Sequence, residues 1–161
     1  YDVQLELPEA QLIHGTYRRS YPEVPNYWNR QIALTKARGY VETLAGRRVR
    51  VVGDWTGSFG WSMGSTSINH RIQGTGADQK YLALAVLKNL LTTYGAQFAW
   101  DLHDGLYFFV PSARTKEFIV EALRRLDHLP YKEAWGYTPS IPMPWDAKWG
   151  PSWGTMKKFA A

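Results

Sequence analysis

The order of hydrophobic patterns along the chain predicts an α+β fold with an antiparallel sheet and packed helices. Three observations carry that reading. Residues 72–94 repeat apolar side chains at helical spacing, with Ile72, Ala77, Leu82, Ala85, Val86 and Leu90. Residues 96–111 read as a strand, a tight turn at His103-Asp104-Gly105 and a second strand. Residues 113–127 return to a helical period through Phe118, Ile119, Ala122, Leu123 and Leu126. The 161 residues are one ordinary domain's worth of chain, 45% hydrophobic and 20% charged, enough to supply a core. No apolar run approaches the roughly 20 residues of a transmembrane helix.

In chain order, the first helix is expected from Pro8 to about Tyr21, where Leu12, Ile13 and Tyr17 recur at helical spacing and Pro22 ends it. A second runs from about Val24 to Lys36, with Tyr27, Trp28, Ile32 and Leu34 as its apolar face and Arg38-Gly39 as its stop. YVETLAGRRVRVV is a hairpin about Ala45-Gly46, its Val49 and Val51 alternating with outward Arg48 and Arg50. Residues 53–67, GDWTGSFGWSMGSTS, hold four glycines without a period and read as a loop. After the helix over 72–94, the strand pair and the helix over 113–127, one more strand is expected around 143–149, followed by an irregular tail.

Cysteine is absent, which excludes disulfide frameworks, thiolate nucleophiles and Cys-based metal centres, and fits a reducing compartment. The opening YDVQLELPEA has neither a basic n-region nor an apolar h-region, so no secretory signal is expected and a cytoplasmic location is. Nineteen Lys and Arg against 14 Asp and Glu leave a net charge of +5, a moderately basic surface. Eight Trp and ten Tyr exceed what a core of this size easily hides, so some are expected to meet a partner or nucleic acid. No GxxxxGK[ST], no GxGxxG after a strand and no GxSxG is present, so P-loop, Rossmann and hydrolase-elbow chemistry have no support.

Chemistry concentrates at LHDGLYFF. A carboxylate at the tip of a strand-turn-strand, with an imidazole beside it, can hold a hard divalent cation against a phosphate. Asp-Gly is also a favoured two-residue hairpin turn, and that plain reading stands beside the first. Asp101, three residues before Asp104, would point to the opposite face, so the two do not form a two-metal site by themselves. Arg47, Arg48 and Arg50, with Arg71 and Lys80, form a basic series interleaved with aromatics that suits phosphate contact, or equally a solvated face. In NHRIQGTGAD, Asn69 and Gln73 sit four apart on one helix face. Amides so placed read minor-groove acceptors or cap the helix.

Taken together and in order, these strings resemble the C-terminal part of family A DNA polymerases, the DNA polymerase I type, and its phage branch in particular. GYVETLAGRRVRV is similar to the family's GYVxTLxGRRR hairpin, and INHRIQGTGADQKYLAL to its INxxxQGTAADxxKxAM helix. FAWDLHDGLYFFVP falls where the family has its VHDE hairpin, and PMPWDAKWGPSWGTMK is similar to the tail of phage members. Gly105 stands where the family has Glu, Ser65 where it has Arg, and Arg71 where it more often has Pro. The family's DxSxxELR motif and its RxxxKxxxFGxxYG nucleotide-binding helix are not among these residues.

The resemblance implies a partial polymerase palm with a segment of the fingers: residues 1–68 as the C-terminal fingers segment with the basic hairpin, residues 69–161 as a palm segment with the metal-binding hairpin and tail. It implies that Asp104 binds catalytic magnesium, that His103 lies near the primer terminus, and that Asn69 and Gln73 contact the minor groove, with Arg47, Arg48 and Arg71 also on DNA. The reaction would be attack of a primer 3′-hydroxyl on the α-phosphate of a deoxynucleoside triphosphate, with two Mg²⁺ ions whose second ligand set comes from a companion chain. The expected partners are therefore primer-template DNA, deoxynucleoside triphosphates and that companion chain, with no membrane. The alternative is a non-catalytic nucleic-acid-binding relic of a polymerase that uses the Arg47–Arg50 hairpin and its aromatic surfaces.

Overall fold

The computed structural model describes residues 4–160, apart from the side chains of residues 58 and 59. Its order is α1 (Leu7–Ser20), α2 (Glu23–Arg38), β1 (Tyr40–Glu42), β2 (Arg48–Arg50), α3 (Gly57–Tyr94), β3 (Gln97–Leu102), β4 (Gly105–Phe109), α4 (Thr115–Leu126), α5 (Tyr131–Trp135), β5 (Lys148–Trp149) and β6 (Lys157–Lys158). The α+β class and the antiparallel pairing are as expected, with the strands in three separate two-stranded ladders: β1-β2, β3-β4 and β5-β6. Among the described residues, no helix is long and apolar enough to cross a membrane. Two compact units divide the chain. The first holds the chain as far as Glu42 plus Arg48–Ile72; the second holds Thr43–Arg47 plus the chain from Gln73 onward.

In the first unit, α2 ends as its sequence predicts: Gly39 takes φ 74° and its N–H closes on the Thr35 carbonyl at 2.8 Å. The apolar stripe of α1 is uncovered, with Leu12 and Ile13 more than half exposed. The largest departure from the sequence reading is residues 53–67, expected as a loop. From Gly57 onward they are helix, the opening turns of α3. Asp54 organises the entry, its carboxylate accepting from both the backbone N–H and the hydroxyl of Thr56 at 2.8 and 2.7 Å. One glycine that reads as a breaker, Gly64, makes room for close approach to α2 instead. A Cβ on Gly64 would lie 3.3 Å from Ile32 Cδ1, and Ser67, fully buried, donates to the Met63 carbonyl. Packing of small residues against α2 outweighs a propensity cost of about 1 kcal/mol per glycine.

The second unit has the larger core. Ala83, Leu87 and Leu90 of α3 meet Phe118, Ile119, Ala122 and Leu126 of α4, and Phe108 of β4 sets its ring edge against Phe118 at 5.6 Å. Between Phe98 and Trp100 the β3-β4 register shifts, so that Phe98 pairs with Phe108 while Trp100 pairs with Tyr107. That bulge sends two side chains, which would otherwise share a face, to opposite sides. The strand expected around 143–149 is confined to Lys148–Trp149, and the tail expected to be irregular returns to pair with it as β6. Prolines at 142 and 144 remove the ladder donors that a longer strand needs.

On α4, Glu121 accepts from Arg124 and Arg125 at 2.7–2.8 Å, and these bonds hold its carboxyl down at about 2. A carboxyl whose folded value lies below its unfolded one stabilises the fold above the unfolded value, and that contribution disappears as pH falls through the folded one. Stability should therefore decline between about pH 4.5 and pH 2. Glu121→Gln should flatten that part of an acid-denaturation curve, and a variant curve parallel to the parent's would refute the assignment.

Candidate active site

The β3-β4 hairpin turns through two residues, His103 and Asp104, with Leu102 opposite Gly105. His103 carries φ 48°, a left-handed conformation that non-glycine residues rarely adopt, so the turn needs support. Lys80 of α3 supplies it. Its ammonium donates to Asp101 Oδ2 at 2.5 Å and to the His103 carbonyl at 3.0 Å. Lys80 lies on the same helix face as Ala83 and Leu87 and is only 8% exposed, so burial of its charge requires such a partner. The same bond holds the Asp101 carboxyl below its ordinary range. The Asp101 carboxylate is thereby kept charged and paired with Lys80.

Asp104 is different. It is exposed at the apex, and among the described residues no hydrogen bond or ion pair engages it. The hairpin thus separates two carboxylates by role, one committed to a lysine and one left open. Asp104 faces an open groove of about 640 Å³ whose walls include Tyr107, Phe118, Ile119, Trp145 and Trp153. A free carboxylate suits Mg²⁺, a hard cation that prefers oxygen. Among the described residues no group of three or more His, Cys, Asp or Glu is placed to hold a metal ion.

The basic and amide residues expected on DNA fall into both units. In the second unit Gln73 is exposed on α3, while the Arg47 guanidinium binds Asp78 Oδ1 at 2.6 Å and the Gly74 carbonyl at 3.1 Å. In the first unit Asn69 is exposed and donates to Ser65 Oγ at 3.5 Å. Arg48 pairs with Glu42 at 2.7 Å and lies over the Tyr40 ring, and Arg71 donates to the Glu42 carbonyl at 2.8 Å. The Arg48 hydrogen bond lowers the Glu42 carboxyl's pKa. Arg47 and Arg48 nonetheless stay 42% and 64% exposed.

Two features escaped the sequence reading. Lys80, taken there as part of a basic series, is the anchor of the turn; its place at 80 in the series 80, 83, 87, 90 was the available signal for a buried lysine. The cluster of Trp100, Tyr107 and Trp153 had none, because Trp153 is remote in sequence from the hairpin it covers.

With the geometry in place, comparison with known proteins points one way. The family model described as DNA polymerase family A matches residues 1–155. The chain is 30% identical over 159 residues to the thermostable DNA polymerase I of Thermus thermophilus, covering 97% of this chain and 18% of that protein. It is 27% identical over 147 residues to a DNA-directed DNA polymerase of Pseudomonas phage M6, covering 91% of this chain and 20% of that one. Among solved structures, the POL domain of Pol1 from M. smegmatis, in complex with DNA primer-template and dNTP, superposes with a TM-score of 0.72 at 19% identity, over 88% of this chain and 24% of that one. The chain thus spans about a fifth of the length of these curated relatives.

Proposed function

The chain belongs to DNA polymerase family A, and from that premise we propose that it is the C-terminal portion of a phage-like split DNA polymerase. It contributes a palm carboxylate and minor-groove contacts to template-directed nucleotidyl transfer once assembled with a companion chain. The observation that carries the reading is the open carboxylate of Asp104, presented on a hairpin whose other acid is tied to Lys80. Mg²⁺, when bound, supplies stabilisation of the attacking and leaving oxygens in an in-line displacement. Asp104 is the ligand this chain would offer, and the Lys80 bonds to Asp101 and to the His103 carbonyl brace the turn that carries it. His103, exposed beside it, would lie near the primer terminus. The DxSxxELR and RxxxKxxxFGxxYG motifs would come from the companion. Leu12 and Ile13, uncovered on α1, are apolar surface that such a partner would bury.

Asn69 and Gln73 suit minor-groove contact because purine N3 and pyrimidine O2 accept at every correct pair, which allows recognition independent of sequence. Arg47, Arg48 and Arg71 would add backbone contacts, and the whole would work wherever the host cell replicates DNA, in the cytoplasm for a phage. Gln73→Ala should lower extension efficiency about tenfold and weaken mismatch discrimination, since one good base-edge contact is worth about 1–3 kcal/mol. Unchanged single-nucleotide incorporation kinetics would remove Gln73 from the groove. The assembly itself is tested by native mass spectrometry of the protein from its own source, with Mg²⁺-dependent primer extension assayed on whatever is found. A companion carrying the two motifs, together with extension, supports the proposal; salt-sensitive DNA binding without synthesis in any assembly would instead indicate a non-catalytic relic.

A further inference from the structure

Gly105 follows Asp104 directly, and the space beside it is taken. A Cβ built on Gly105 would lie 2.9 Å from the Tyr107 hydroxyl oxygen and 3.0 Å and 3.1 Å from ring atoms Cε2 and Cζ. Residues 105 and 107 share one face of β4, so the phenol lies back along the strand with its hydroxyl end at the turn. Its ring belongs to a cluster of three near-parallel aromatic rings. Trp153 stacks on it at 4.4 Å with 25° between planes, and Trp100, its cross-strand partner, at 5.7 Å and 20°. Trp100 and Trp153 are themselves near-parallel at 5.8 Å. Offset stacking of this kind holds an aromatic ring in one orientation. Tyr107 is part-buried, and its hydroxyl is open to solvent and has no hydrogen-bond partner among the described residues, so it is free to meet a ligand. Tyr107 and Asp104 line the same groove.

The Tyr107 O–H, lying against Gly105, and the open carboxylate of the adjacent Asp104 make a pair of complementary groups. The carboxylate attracts a cation and repels a phosphate, whereas an uncharged donor beside it attracts a phosphate oxygen without cancelling the charge that the cation needs. We infer that the Tyr107 hydroxyl is a substrate contact of the Asp104 site, donating a hydrogen bond to a phosphate oxygen, and that Gly105 is the residue that admits it. This inference rests on the polymerase reading. The phosphate can belong to the incoming nucleotide or to the DNA backbone, and the two are separable by experiment.

Tyr107→Phe keeps the stacked ring and removes only the donor. In the assembled polymerase it should lower kcat/KM for incorporation about tenfold, the worth of one hydrogen bond of about 1.4 kcal/mol. A raised nucleotide KM places the contact on the triphosphate, and a raised DNA Kd places it on the backbone. Gly105→Ala should force the phenol away and cause a similar loss, and the double variant should lose no more than either alone, whereas additive losses would break the link between the two positions. In the 161-residue chain alone, Gly105→Ala should perturb the near-ultraviolet circular dichroism of the Tyr-Trp stack and Tyr107→Phe should keep the Trp signal. No change on Gly105→Ala would show that the phenol does not fill that space. If Asp104→Ala is inactive and Tyr107→Phe is indistinguishable from the parent in kcat/KM and DNA Kd, the inference falls alone; if Asp104→Ala still synthesises DNA, the polymerase reading falls and takes the inference with it.

Discussion

In the proposed polymerase assembly, Asp104→Ala is expected to lower primer extension by about 10³-fold or more while leaving primer-template affinity within about twofold. The two halves of that expectation have separate causes. Charge stabilisation at the reacting phosphate is commonly the largest single catalytic contribution, and Asp104 is the carboxylate of the hairpin that no described residue pairs with. In the proposed assembly DNA affinity would be set by cations and groove contacts elsewhere, and the removal of a negative charge would not weaken it. The substitution should also fold normally, since Asp104 is exposed and makes no described bond. Single-turnover incorporation, with DNA binding measured in parallel, checks both halves. Synthesis at the parent rate would end the assignment of Asp104, and a loss of affinity equal to the loss of rate would show that it acts in binding.

Lys80→Met is expected to have the next largest effect, a fall in extension of about 10²-fold without unfolding. Methionine keeps the buried stem and loses the ammonium, so Asp101 and the His103 carbonyl lose their common donor. Asp101 is 43% exposed and can turn to water, so the fold tolerates the change. The turn is less tolerant, because His103 at φ 48° has no other described anchor on that carbonyl. A displacement of about 1 Å at a reacting centre can cost about 10²-fold in rate. Far-ultraviolet circular dichroism should match the parent while kcat falls. An unaltered kcat would mean that the hairpin positions Asp104 without α3.

Much of this was legible in the chain. The apolar spacing of 72–94 and 113–127 gave two helices of the second unit, and the dipeptide signals at Arg38-Gly39 and His103-Asp104-Gly105 gave a helix stop and a turn close to where they stand. The failures have a common origin. In residues 53–67 Gly64 lies against Ile32 of α2, a contact that a local reading, which counts glycine only as a breaker, does not register. The tail over 143–158 forms its ladder through Lys148 and Lys158, ten residues apart, which no short-range pattern announces. Lys80 looked like surface charge because its partner, Asp101, arrives only when the hairpin docks on α3.

By itself, then, the sequence determined the secondary structure wherever a periodic face or a turn signal is local, and it determined family membership, because ordered motifs keep their spacing whatever surrounds them. Tertiary structure alone decided which of two nearby carboxylates is open. It also decided which arginines are already paired, and that a tyrosine fills the space beside Gly105. Each of those depends on distances of a few ångströms between side chains remote in the chain. Charge neutralisation and steric exclusion act over just such distances, and only the folded chain brings those groups within them.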